Sequence, residues 1–238
     1  LCSGNVLGAQ TVRGVDLFTL ADSGTALLVE RLGGLAPTGS LASVSTRSEA
    51  AFRLYEAGLR AYHRNEKAAA EELFLDALKE DSTFAMARYW SGLSAQDPRN
   101  RLPRLGEAVR LADKATEKER LSIRSAYAFD QSDPGLRAVA ESLVARYPLE
   151  IEGHMWLGNA MLREGDFLAA IPSFQKVVQL DSLGLAGRLP RCQACVALSG
   201  ITHAYESADS IAAAERAIRA WIRARPADAG VRIDLADL

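Results

Sequence analysis

The apolar residues of this 238-residue chain fall into helical stretches that are separated by short polar breaks. Three of these stretches contain a glycine in a similar setting: LYEAGLRAY around Gly58, RYWSGLSA around Gly92 and HMWLGNAM around Gly158. Gly58 and Gly92 lie 34 residues apart, and each glycine is followed by a polar break and a second helical stretch. A repeat of this length predicts a stack of antiparallel helix pairs.

The two clearest copies of the repeat cover residues 51–82 and 151–182. Counted from each start, the same types of residue fall at the same places: Gly58 and Gly158, Ala70 and Ala170, Phe74 and Phe174, Asp81 and Asp181. Small residues allow two antiparallel helices to approach closely, and the aromatic side chain fills the space beside them. The pattern therefore predicts a glycine–phenylalanine contact inside each of these two helix pairs.

This spacing of residue types resembles the tetratricopeptide repeat, in which the eighth place is small, the twentieth is alanine and the twenty-fourth is aromatic. Three weaker copies begin near residues 85, 117 and 195, and the last two have Arg124 and Thr202 where the glycine belongs. The resemblance covers residues 49–238. It implies an all-α fold, a right-handed α-solenoid of about five antiparallel helix pairs.

Residues 1–48 do not join the repeat. Apolar residues at helical spacing predict a helix over residues 15–32, and a glycine pair with the segment APTGSLASVS predicts a linker after it. This part resembles the end of a small α/β domain that often precedes such repeats in bacterial multidomain signalling proteins. We therefore expect an N-terminal helical segment and linker over residues 1–48, with a remnant of a preceding domain as one interpretation, and a solenoid over residues 49–238. Residues 182–190 lengthen one connection, which predicts a loop on one face or a helix extension.

Charge and hydropathy argue against two classes of partner. The formal net charge is −2, so no electrostatic argument favours nucleic acid. No apolar run approaches the roughly 20 residues that a membrane-spanning helix needs. The chain begins with Leu1 and shows no signal peptide, which we interpret as the sign of a processed or partial polypeptide. The resemblance to receptor proteins favours a bacterial compartment outside the cytoplasmic membrane, the periplasm, with the cytoplasm as the alternative.

Catalytic motifs are absent from the sequence. It contains no glycine-rich phosphate loop, no GxSxG and no HExxH, so it predicts no enzyme, no cofactor and no metal site. Cys192 and Cys195 form the one redox-like or metal-like pair, and no second pair of ligands accompanies them. Three interpretations of this pair stay open: two buried core cysteines, a disulfide, or part of a metal site.

The resemblance also implies a binding surface, because the first helix of every pair lines the concave face of such a solenoid. The candidate partner-binding residues are then Phe52, Tyr55, Tyr62, His63, Met86, Tyr89, Met155, Asn159, Arg163 and His203. Rigid aromatic side chains on a concave wall suit a hydrophobic segment, an extended peptide or a helix. The alternative is that residues 15–32 of the same chain fill the groove. The lysine–asparagine clamp that some family members use for a terminal carboxylate is incomplete, because Met155 stands at the place of its lysine.

The sequence therefore predicts a non-catalytic scaffold whose partner is a protein or a peptide segment. One alternative is a permanent structural subunit of a larger, membrane-associated assembly. Another is the sensory region of a receptor kinase or cyclase-like regulator. The last two rest on analogy between folds, and fold alone does not determine function.

Overall fold

A computed structural model of the chain describes residues 46–188 and 190–224, and every helix of this part runs in the order that the repeats predict. The helices are α1 (Glu49–His63), α2 (Lys67–Glu80), α3 (Ala85–Leu93), α4 (Arg101–Leu111), α5 (Glu117–Asp130), α6 (Leu136–Arg146), α7 (Ile151–Glu164), α8 (Phe167–Leu180), α9 (Ser182–Leu185), α10 (Gln193–Ser207) and α11 (Ile211–Ala224). Ten of them form five pairs, and the short α9 lies in the last connection. The predicted all-α solenoid of five helix pairs is confirmed. The helix expected over residues 15–32 lies outside the described residues.

Local capping determines where several helices begin. Ser48 precedes α1, and its hydroxyl accepts a hydrogen bond from the amide of Ala51. Thr116 and Glu119 form the reciprocal capping box at the start of α5: each side chain accepts from the backbone amide of the other residue. This capping box can be identified from the sequence, because the Thr-x-x-Glu spacing is sufficient to predict it.

The core of the first and fourth pairs is built on a glycine against a phenylalanine ring. A Cβ atom placed on Gly58 would lie 2.6 Å from Cε1 of Phe74, and one on Gly158 would lie 2.7 Å from Cε1 of Phe174. Both rings are almost completely excluded from solvent. Since only a hydrogen atom fits between helix and ring, the two helices of each pair approach at a distance that other residues do not permit.

The fifth pair packs a glycine of α10 against a ring of the pair before it. The repeat count assigns the glycine place to Thr202, which is buried, but it is Gly200 that faces a ring. A Cβ on Gly200 would lie 2.9 Å from Cζ of Phe174, so this ring is enclosed by glycines from α7 and α10. This contact lies between the fourth and fifth pairs, whereas Gly58–Phe74 and Gly158–Phe174 lie within a pair.

The connection between α8 and α10 contains the short helix α9, and it is held by hydrogen bonds to Asp181 and by a disulfide bond at the start of α10. The buried carboxylate of Asp181 accepts hydrogen bonds from the amides of Gly184 (3.1 Å) and Ala194 (2.9 Å), so the end of α8 is tied to the start of α10. Cys192 and Cys195 are joined by a disulfide bond. Of the three interpretations that the sequence left open for this pair, the structure has the disulfide.

Two arginine side chains of α4 form ion pairs with the neighbouring helix pairs. Arg104 of α4 reaches back to Glu71 of α2 at 2.5 Å, in a partly buried ion pair that also includes the carbonyl oxygen of Ser91. Arg101 reaches forward from α4 to Asp130 of α5 at 2.5 Å. Such pairs add orientation more than stability, because desolvation offsets much of their attraction. None of the described helices is both long and apolar enough to cross a bilayer.

The substitution Gly58→Ala tests the glycine–phenylalanine packing. The new methyl group would overlap Phe74, which is fully buried and enclosed on all sides. We expect a loss of about 1–3 kcal/mol in the free energy of unfolding, even though alanine is the better helix former. Urea denaturation measures this loss.

Gly106→Ala is the matched control in another helix interior. A Cβ on Gly106 would lie 3.3 Å from a ring atom of Tyr127, which is half-buried and has room to shift. This substitution should be neutral or stabilising by up to about 1 kcal/mol. Equal losses in the two variants would contradict the packing argument.

Candidate partner-binding site

The concave face contains a cavity of about 340 Å³ that is open to solvent. Every first helix of a pair, or the residue just before it, contributes to its lining: Tyr55, Leu59, His63, Met86, Trp90, Lys118, Glu119, Ser122, Glu150, Ile151, Glu152 and Gln193. The stacking of five pairs therefore brings residues that are 138 positions apart in sequence to one site. Apolar and aromatic groups dominate the α1 and α3 side, and carboxyl groups dominate the α5 and α7 side.

Three of the ten candidate residues, Tyr55, His63 and Met86, line this cavity. Tyr55 packs against Phe84, with ring centroids 4.9 Å apart, and against Phe74 at 5.9 Å. These two core rings hold the Tyr55 ring on the side away from the cavity. Burial raises the pKa of Tyr55, which keeps its hydroxyl neutral at physiological pH. Phe52 is half-buried one turn away from Tyr55, outside the cavity lining.

Tyr89 is fully buried and belongs to the core instead of the open surface. Its hydroxyl donates a hydrogen bond of 3.0 Å to Glu152, which lies in α7 and 63 residues further along the chain. Burial raises the pKa of Tyr89 well above its ordinary value. The contact joins the second helix pair to the fourth, so Tyr89 supports the wall of the cavity from the inside.

Tyr62 is also largely covered, with 6% of its surface exposed. The guanidinium of Arg191, from the connection before α10, lies 4.1 Å from the centroid of the Tyr62 ring. Trp90 packs edge-on against the same ring at 4.7 Å. The last connection of the solenoid thus contacts its first helix across the concave face.

The four candidates in the second half of the chain lie outside the cavity lining. Asn159 donates to the carbonyl oxygen of Met155 within α7, so its amide is engaged in its own helix. Arg163 stacks on the ring of Phe129 at 3.9 Å and donates to the carbonyl oxygen of the same residue. His203 is exposed on α10.

The charged part of the cavity lies outside the ten candidate residues, although Glu152 stands at a groove place of the fourth copy. Lys118 forms a hydrogen-bonded ion pair of 2.8 Å with Glu150, and Glu119 is held by the capping box. Burial raises the pKa of Glu152 to about 7, and the like charge of Glu150 adds to the effect, while the hydroxyl of Tyr89 and the charges of Lys118 and Arg191 act against it. Burial also raises the pKa of Glu119. Glu152 falls at a groove place of the repeat, but nothing near it in sequence indicates Tyr89 as its partner.

Glu152 should make the stability of the protein depend on pH. Its pKa rises from an ordinary 4.5 to about 7 on folding, so the folded state binds the proton more tightly than the unfolded state. This stabilisation is present below about pH 4.5 and is lost as the pH rises through about 7. Relative to Glu152→Gln, we expect the free energy of unfolding of the wild type to fall by about 2–3 kcal/mol between about pH 5 and pH 8.

Urea denaturation of both proteins across this range measures the difference. Glu72→Gln, which removes an exposed carboxylate from α2, is the matched control and should leave the pH dependence of the wild type unchanged. Parallel curves for the wild type and Glu152→Gln would show that Glu152 ionises as freely in the folded as in the unfolded state.

The chain is similar to known proteins in its three-dimensional structure. No protein-family model and no curated protein matches the sequence. The crystal structure of TTC0263, a thermophilic tetratricopeptide-repeat protein of Thermus thermophilus, superposes with a TM-score of 0.59 at 18% identity, over 79% of this chain and 98% of that one. A chain of the APC/C hetero-tetramer Cut9–Hcn1 superposes with a TM-score of 0.59 at 16% identity, over 94% of this chain and 42% of that one.

These likenesses concern the fold, and they agree with the helix pairs and with the glycine–phenylalanine contacts found at the eighth and twenty-fourth places of two copies. The resemblance that the sequence indicated is therefore confirmed at the level of architecture. The described part of the chain therefore has the α-solenoid fold of tetratricopeptide-repeat proteins.

Proposed function

We propose that the protein is a non-catalytic scaffold that binds a protein or peptide segment on the concave face of its solenoid. The observation that carries this proposal is the cavity of about 340 Å³, to which all five helix pairs contribute. Concave sites with apolar walls and a few convergent polar groups are the usual places of ligand binding in proteins. In the related fold of the Cut9–Hcn1 hetero-tetramer, a solenoid takes part in an assembly of two different proteins.

The wall of the cavity is rigid before any partner binds. Tyr55 is held by the rings of Phe74 and Phe84, and Trp90 stacks at 6.2 Å on Phe74. A surface that is already ordered loses little conformational entropy on binding, so more of the contact energy contributes to affinity. We therefore assign direct contact with the partner to Tyr55, His63 and Met86, and a supporting role to Tyr62 and Tyr89.

The size of the cavity favours an extended segment over a whole helix. Its volume lies at the small end of the roughly 300–1,000 Å³ that is typical of ligand pockets. This space accepts one or two inserted side chains while the backbone of the segment lies along the groove. Phe52, at the α1 end, and Met155, Asn159, Arg163 and His203, towards the other end, would then meet flanking residues of the segment.

Site-specific photo-crosslinking in cells tests the docking surface. A photoreactive phenylalanine analogue at His63, whose side chain is exposed at the cavity, should capture a foreign protein. Leu59→Gln in the same protein removes an apolar contact from the cavity, and we expect it to lower the crosslinking yield about tenfold. The yield is read by mass spectrometry against an isotope-labelled standard.

Leu168→Gln is the matched control, since Leu168 is 56% exposed on the outer helix α8. It should leave the yield unchanged. Crosslinks that lead only to residues 15–32 of the same chain would mean that the groove is filled from within and would overturn the proposal. A captured protein that never exchanges and always co-purifies at equal stoichiometry would instead favour a permanent structural subunit.

A further inference from the structure

Above about pH 7, where Glu152 ionises, the described residues that line the cavity carry more negative than positive charge. Its charged residues are the carboxyl groups of Glu119, Glu150 and Glu152 and the amine of Lys118. Lys118 is bonded to Glu150, which makes that pair neutral. In the described part of the chain, neither Glu119 nor Glu152 forms an ion pair with lysine or arginine. His63 adds no fixed charge, because partial burial and the nearby Arg191 lower its pKa.

Glu152 is the more available of the two carboxyl groups. One of its oxygens accepts the hydroxyl of Tyr89, and the other has no hydrogen-bond donor among the described residues. Its place in the first turn of α7 favours a negative charge through the helix dipole. Desolvation nevertheless outweighs this effect and the Tyr89 hydrogen bond, as its raised pKa shows. A carboxylate withdrawn from water in this way gains most from a cation that approaches it directly.

The aromatic wall opposite suits the same kind of group. Tyr55 and Trp90 line the cavity together with Glu152. The chain already places guanidinium groups on aromatic rings twice on this side of the solenoid, with Arg191 on Tyr62 at 4.1 Å and Arg163 on Phe129 at 3.9 Å. Lysine and arginine side chains are attracted by the faces of such rings and pack their apolar stems against them.

We propose that the cavity receives a lysine or arginine side chain of the bound segment, with its cation at the carboxyl group of Glu152 and its stem against Tyr55 and Trp90. This inference rests on the proposed function and names the chemistry of its partner. Glu152 is then the residue that determines which segments bind. Leu59 and Met86 supply apolar contact of lower selectivity, because burial of apolar surface is non-directional.

A partner with a terminal carboxylate fits the cavity poorly. Lys118, the one lysine or arginine among the described residues of the lining, is already paired with Glu150, and Arg191 is stacked on Tyr62. An incoming anion would meet Glu119 and Glu152 without a free cation to offset them. Charge complementarity therefore selects a basic segment over an acidic one.

Selection from a displayed library of random peptides tests this inference on the full chain, at a pH above the pKa of Glu152. We expect the peptides retained by the wild type to share one lysine or arginine. Synthetic copies of the best peptide are then measured by fluorescence anisotropy. Glu152→Gln should weaken their binding about tenfold to a hundredfold, the usual effect of losing a charge-assisted hydrogen bond, and Glu72→Gln should not change it.

The peptide provides the second arm of the experiment. Replacing its shared basic residue by norleucine keeps the stem and removes the charge. Binding to the wild type should fall by the same factor, whereas binding to Glu152→Gln should hardly change, since the two groups act as a pair. The measurement on the wild type uses the unaltered protein, so a loss of binding with the norleucine peptide still tests for a cationic site if Glu152→Gln folds poorly.

The outcomes separate this inference from the function on which it rests. Peptides that lose binding in Leu59→Gln but share no basic residue, or that bind equally to the wild type and Glu152→Gln, would overturn the cationic site and leave the groove as a docking surface. Peptides that share an acidic residue would overturn it as well. If no retained peptide is sensitive to Leu59→Gln, the docking surface itself is contradicted.

Discussion

The approach of two helices across a single hydrogen atom sets the geometry of this solenoid. At Gly58 and Gly158 a benzyl ring occupies the space that any side chain would need, so the spacing within the first and fourth pairs is fixed by sterics and not by a balance of weak attractions. Phe174 extends the same constraint to the next pair through Gly200. These contacts set distances within two pairs and between the last two, and the stacked pairs gather residues 55–193 around one cavity.

The contact between the second and fourth pairs explains how the carboxyl group of Glu152 comes to be half-buried. Glu152 lies in the first turn of α7. Tyr89 of the second pair contacts it there because the second and fourth pairs face each other. In the low dielectric of such a place, charge interacts more strongly than at an exposed surface, both with a suitable partner and against an unsuitable one. A desolvated charge adds to selectivity, because a partner without the opposite charge leaves it unpaired.

The sequence predicts what lies within one repeat and fails for what joins distant repeats. Gly58 with Phe74, Gly158 with Phe174 and the Thr116 capping box depend on residues less than one repeat apart, and their spacing alone identifies them. Tyr89 has the position of a groove residue, but its burial depends on Glu152, which is 63 residues away. The disulfide was one of three interpretations, because pairing depends on the path of the connection.

Two contacts join parts of the solenoid that are not adjacent in the stack of helix pairs. A linear repeat protein is held together by adjacent units, so it can fray from either end one unit at a time. Here Tyr89 with Glu152 joins the second pair to the fourth, and Arg191 on Tyr62 joins the last connection to the first helix. The stack is therefore held together by contacts between distant parts as well as by contacts between adjacent pairs. Separating the first pair from the last connection would therefore require the loss of the contact between Arg191 and Tyr62 in addition to the packing between adjacent pairs.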